Sequence, residues 1–153
     1  MRARDLAGPG PFVTTDDDAM NVARLPAERS LSALPALDTG GQPYAIVPRS
    51  QLVRQLLPAD IAEDPVLARI AGAQHPAELA ERLAGLTAAE SAPRRLYPPP
   101  VVGPDARRLE VAILMARTHS PLVALVERDG TNVTVIGTVT AARLMRYFLE
   151  GTP

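Results

Sequence analysis

Apolar positions recur in the same order twice along the chain. Val13 and Asp16 are matched 89 positions later by Val102 and Asp105. At that spacing Met20, Val22, Ala23 and Leu25 meet Leu109, Val111, Ala112 and Leu114, and Leu37-Asp38 meets Val126-Glu127. Three extra residues then enter the second copy around positions 131–133. Beyond them Ala45-Ile46-Val47 meets Gly137-Thr138-Val139 at a spacing of 92, as Leu52 meets Leu144 and Leu57 meets Leu149. A chain that repeats its own apolar pattern is built from repeated supersecondary units.

Each copy reads as one β-α-β-β-α unit. A short extended run (residues 12–13; residues 101–102) precedes an acidic cap, formed by Asp16, Asp17 and Asp18 or by Asp105. Carboxylates there accept from free helix N–H groups and complement the helix dipole. An amphipathic helix follows; in the second copy Leu109, Ala112, Ile113 and Ala116 form its i, i+3, i+4, i+7 stripe. The continuous apolar run 122–126 predicts a strand buried on both faces. Asp129-Gly130, or Gly40-Gly41, supplies a turn. A second strand (residues 44–47; 133–139) and a closing helix (residues 50–57; 141–149) complete the unit.

Residues 59–85, between the copies, read as a helical linker. Pro65 and Pro76 suit first helical positions. Ile61, Val66, Leu67 and Ile70 make one apolar face; Leu79, Leu83 and Leu86 make another. Thr87 and Glu90 have capping-box spacing, and residues 87–90 echo residues 2–5. The organisation expected is a first repeat over 1–58, the linker over 59–85 and a second repeat over 86–153. Residues 94–100 form a Pro-rich extended lead into the second copy. Pro26, where the second copy has Met115, is expected to kink or shorten its helix.

Composition narrows the function. The 153 residues carry a net charge of −1, so no basic field draws nucleic acid or acidic lipid. No cysteine is present, which removes disulfides, thiolate metal sites and cysteine nucleophiles and fits a cytoplasmic setting. All 16 basic residues are arginine, a usage expected of a GC-rich bacterial genome. The first residues lack the apolar core of a signal peptide, and no apolar stretch reaches membrane-spanning length.

Two tandem β-α-β-β-α units carrying residues 102–105, the strand 122–126 with Asp129-Gly130, and the run Ile136-Gly137-Thr138-Val139-Thr140 resemble a pair of CBS (cystathionine β-synthase-type) domains, a Bateman module. The resemblance spans nearly the whole chain apart from the linker. It implies an α/β fold of two repeats related by a pseudo-twofold axis, with two clefts between them. Such clefts often take AMP, ADP, ATP or S-adenosylmethionine, and the modules commonly form flat homodimers. No other domain is attached here, so the expected role is a stand-alone regulatory module acting on a separate, unidentified protein. The alternative is a ligandless dimerisation or protein-docking module.

Nucleotide-binding members resemble Gly-h-h-Ser/Thr-x-x-Asp at the last strand–helix junction. The second copy offers Gly137, Thr138, Thr140 and, at the Asp position, Arg143; the first offers Ala45, Pro48 and Gln51. A guanidinium cannot accept a hydrogen bond from a ribose hydroxyl. Arg143 therefore reads either as a solvent-facing helix residue or as a partner for phosphate. Thr140 reads equally as a plain N-cap or as a ligand contact. Val102 and the His119-Ser120-Pro121 junction complete the candidate ligand set.

Other chemistry is thin. Three successive carboxylates at Asp16, Asp17 and Asp18 do not converge on one ion, and capping accounts for them. His75 reads as a surface or capping residue. Arg94-Arg95 and Arg107-Arg108 read as solvated faces. Tyr147-Phe148 reads as core or dimer surface. No nucleophile elbow, Walker run or GxGxxG occurs, so neither a catalytic set nor a metal site is expected.

Overall fold

The computed structural model describes residues 1–57, 63–70, 76–91 and 98–151. Ile61, His75, Arg94 and Arg95 lie outside the described residues. The first copy runs β1 (Val13–Thr14), α2 (Ala19–Arg29), β2 (Ala33–Leu37), β3 (Pro43–Pro48) and α3 (Arg49–Leu56). It is preceded by a single-turn helix, α1 (Ala3–Leu6). The linker contributes α4 (Pro65–Ile70), α5 (Pro76–Ala80) and a 3-10 turn (Glu81–Leu83). After α6 (Ala88–Ser91), the second copy runs β4 (Val101–Val102), α7 (Arg108–Thr118), β5 (Leu122–Asp129), β6 (Asn132–Thr140) and α8 (Ala141–Glu150).

Each copy forms its own three-stranded sheet, with the first strand parallel to the second and the second antiparallel to the third. The repeat extends to irregularities. The β2–β3 register slips between Ala36 and Leu37, and the β5–β6 register slips at the equivalent Leu125 and Val126. The three extra residues of the second copy lengthen both arms of its hairpin, which turns tightly through Gly130 at φ 63°. A positive φ is open to glycine at little steric cost.

The two cores exchange their short helices. Ala3 and Leu6 of α1 are packed into the second copy's core with Val111, Val123, Leu125, Val139 and Leu144. Ala88 of α6 belongs to the first copy's core with Val13, Val22, Leu34, Val47 and Leu52. Backbone bonds hold both transfers: Ala3 N–H donates to Ala106 O at 2.8 Å, and Ala88 N–H donates to Asp17 O at 2.7 Å. The sequence echo between residues 2–5 and 87–90 therefore marks two equivalent helices, each seated on the opposite copy's sheet.

Four expectations need correction. Pro26 does not shorten its helix: α2 has 11 residues, as α7 does, and Pro26 is buried where Met115 is buried in the second copy. The ring fills core volume, which offsets the hydrogen bond that proline cannot donate. On α7 the buried face is Val111 and Met115, whereas Leu109 and Ile113 of the expected stripe are 60% and 57% exposed. Val66 and Leu67 of the linker are likewise exposed. Asp105 does not cap α7; its carboxylate pairs with Arg4, and Glu110 takes the Arg107 N–H instead. Of the three carboxylates before α2 only Asp18 caps it, accepting from the Met20 N–H; Asp17 instead accepts from the N–H and hydroxyl of Thr14 in β1.

Candidate functional site

The junction of β6 and α8 is built by a local rule. Thr140 has extended backbone angles, and its hydroxyl oxygen accepts from the Arg143 N–H at 3.2 Å, which makes it the N-cap of α8. Ala141 N–H is already taken by the carbonyl of Pro121 at 2.9 Å. These bonds fix the first turn of α8 and aim Thr138, Thr140 and Arg143 toward one cleft.

The cleft has a volume of about 290 Å³ and draws on three stretches of chain. Thr138, Thr140 and Arg143 of the second copy form the polar wall. The Gly8-Pro9-Gly10-Pro11 segment leading into β1 forms another. Leu31, Ser32, Ala33 and Pro35, where α2 gives way to β2 in the first copy, close it together with Leu122. The Gly-Pro run is held like an added strand: Gly8 N–H donates to Thr138 O at 2.9 Å, and Thr138 N–H donates to Gly8 O at 3.1 Å. Glycine is needed at Gly10, because a Cβ there would stand 2.9 Å from the Thr138 hydroxyl oxygen.

Arg143 is half-buried, not solvent-facing. Its Nη1 donates to the Leu6 carbonyl oxygen at 3.3 Å, at the end of α1. Arginine carries five N–H donors, so most remain for the cleft. Among the described residues that line it none is a carboxylate, and Arg143 carries the one formal charge. At the equivalent first-copy positions stand Ile46, Pro48 and Gln51, and Pro48 caps α3 with no side-chain hydrogen bond.

The remaining candidates are placed elsewhere. Gly137 is buried beneath the chain's own Ala7-Gly8, where a Cβ would meet the Gly8 carbonyl oxygen at 3.1 Å. Its missing side chain admits that segment. Val102 pairs with Leu125 and packs on the second core. His119 is an exposed left-handed residue ending α7, equivalent to Ser30 at the end of α2. Ser120 donates its hydroxyl to Leu122 O at 2.6 Å, and Pro121 serves Ala141. Leu31 and Ser32, which do line the cleft, stand 89 positions before Ser120 and Pro121. The cleft is thus assembled crosswise, from the end of one copy and the middle of the other. The Gly-Pro-Gly-Pro run was the available sign of the second wall: it is poor in N–H donors and bars regular structure.

Among the described residues no group of three or more His, Asp or Glu side chains could hold a metal ion, and no helix is long and apolar enough to cross a membrane. The family model of the CBS domain matches residues 90–150. A crystal structure of a CBS domain-containing protein of unknown function from Kribbella flavida is 37% identical, covering 98% of this chain and 99% of that one, with a TM-score of 0.84. The chain belongs to the CBS-domain family.

The CBS domain of a CBS domain-containing membrane protein from Sphaerobacter thermophilus is 25% identical, over 95% of this chain and 86% of that one, at a TM-score of 0.67. CBSX2, solved in complex with AMP, shares the fold at 18% identity and a TM-score of 0.66, over 97% and 96% of the two chains. Among curated proteins none matches. The tandem CBS pair is a module of the regulatory kind, and its two repeats account for both sheets.

Proposed function

We propose that this CBS pair is a cytoplasmic regulatory sensor, not an enzyme, which binds an adenine-containing small molecule in the cleft between its repeats. An adenine nucleotide is favoured over S-adenosylmethionine. The observation that carries the reading is the cleft itself. Its apolar sides, Leu31, Ala33, Pro35 and Leu122, suit a planar base, and its polar wall offers two hydroxyls and a guanidinium. A volume of about 290 Å³ sits at the small end of ligand sites and suits a mononucleotide better than a dinucleotide. The AMP complex of CBSX2 supports the same ligand class on the same fold.

The test is thermal unfolding against AMP, ADP, ATP, S-adenosylmethionine and NADH. A ligand that binds only the folded state adds about 2.7 kcal/mol at a hundred times its dissociation constant. A dose-dependent rise with one adenine compound, lost in Thr138→Val, supports the sensor. A flat response across the panel sinks it.

A second reading has its own observation. Leu109 and Ile113 of α7 and Met145, Phe148 and Leu149 of α8 are exposed on helices that pack side by side. Apolar patches of this kind mark association surfaces. A second copy of the chain is the proposed occupant, giving a homodimer, and a flat ligand panel would leave docking to a regulated protein as the module's task.

A further inference from the structure

Among the described residues the cleft's polar wall carries cationic and hydroxyl groups but no carboxylate. Thr140 and the first turn of α8 stand at one point along it. Arg143 belongs to that same turn, and its guanidinium reaches away from Thr140 to Gly8 and the end of α1. Two N–H groups of that first turn are consumed by Pro121 O and Thr140 Oγ1. The guanidinium remains the strongest donor facing the ligand. It is tethered through Nη1 to the Leu6 carbonyl oxygen, and a Cβ on Gly8 would lie 2.7 Å from that same nitrogen. The side chain is therefore braced from behind, with its other donors still to be matched.

A free ribose edge matches this wall poorly. Its two hydroxyls need an acceptor, and a guanidinium has none. A phosphate supplies acceptors in the fork geometry that arginine fits. The same exchange separates the two common dinucleotides in Rossmann folds, where a carboxylate takes the free hydroxyl and an arginine accommodates the 2′-phosphate.

We propose that the cleft selects an adenosine nucleotide whose ribose carries a 2′- or 3′-phosphate, held by Arg143, in addition to its 5′-phosphate. The inference rests on the adenine-nucleotide reading and narrows it to this class. The 5′-phosphate lies toward Thr140 and the start of α8, where the helix dipole favours negative charge.

The experiment is calorimetric titration of the full chain with AMP, adenosine 2′,5′-bisphosphate and adenosine 3′,5′-bisphosphate. The same titrations are made on Arg143→Asp and Arg143→Gln; the glutamine amide retains a donor for Leu6. One bisphosphate is expected to bind the wild type at least about tenfold more tightly than AMP, as a charge-assisted bidentate contact warrants. Arg143→Gln should erase that ratio, and Arg143→Asp should invert it in favour of AMP. Because the readout is a ratio within each protein, a general loss of stability does not imitate it. If AMP binds the wild type as tightly as both bisphosphates, the inference falls while the adenine reading stands. If none of the three binds the wild type or either variant at millimolar concentration, both fall.

Discussion

The Arg143 guanidinium donates to the carbonyl oxygen of Leu6 at 3.3 Å, a contact spanning 137 positions of sequence. It joins the helix that borders the cleft to a helix at the other end of the chain. Leu6 is wholly buried in the second copy's core, so the contact anchors the Arg143 guanidinium to a rigid support.

Removing the donor should therefore cost stability in the absence of ligand. Arg143→Ala is expected to lower the unfolding free energy by about 1 kcal/mol, the net worth of one partly exposed hydrogen bond. Arg143→Gln should recover part of it. Urea denaturation of the three proteins, compared at equal slope, makes the measurement.

Leu6 tests the exchange of helices between the cores. Leu6→Ala should destabilise by roughly 2–5 kcal/mol, as truncation of a buried leucine does. The loss should appear in the second copy, so amide exchange should quicken most at Val123, Leu125 and Val139, more than a hundred positions away.

Gly137 tests the close approach beneath the cleft. A Cβ there meets the Gly8 carbonyl oxygen at 3.1 Å and the Ala7 Cβ at 3.3 Å. Gly137→Val should cost about 1–3 kcal/mol by overpacking. It should also weaken any cleft ligand by displacing Gly8–Pro11, whereas Thr134→Val, at an exposed position of β6, should leave both measurements near wild type.

Thr140 separates capping from binding. Thr140→Ala removes the bond to the Arg143 N–H and should cost about 1 kcal/mol, whereas Thr140→Ser should nearly restore it. If the hydroxyl also touches ligand, alanine should weaken binding beyond what the fold loses.

The exposed face of α7 and α8 predicts an assembly. Sedimentation should show a dimer for the wild type and a monomer for Ile113→Asp or Met145→Asp. Both residues are more than half exposed, so the charge should change folding stability by no more than about 0.5 kcal/mol. A monomeric wild type would remove the homodimer reading.

Much of the fold was legible because its signals are local. The run Leu122 to Val126 is apolar at every position and became a buried strand; Pro65 and Pro76 open the helices they were expected to open. The doubled pattern of Val22 with Val111 and Leu52 with Leu144 placed matching core residues in both copies. The helix α7 was harder. It carries apolar residues on two faces, and periodicity alone does not say whether Val111 or Ile113 turns inward. The sheet beneath it makes that choice.

The sequence by itself determined the two-unit design, the order of elements, and the residues at the end of β6: a threonine at the start of the helix with an arginine three positions on. Those properties depend on neighbours a few positions apart. Only the tertiary structure decided that α1 sits on the second copy's sheet, that Gly8–Pro11 walls the cleft, and that Leu31 and Ser32, not Ser120 and Pro121, face Arg143. The physical reason is that apolar pattern reports how much surface a segment must bury, not which surface buries it. With two nearly equivalent sheets in one chain, that partner is set by the packing of residues about a hundred positions apart.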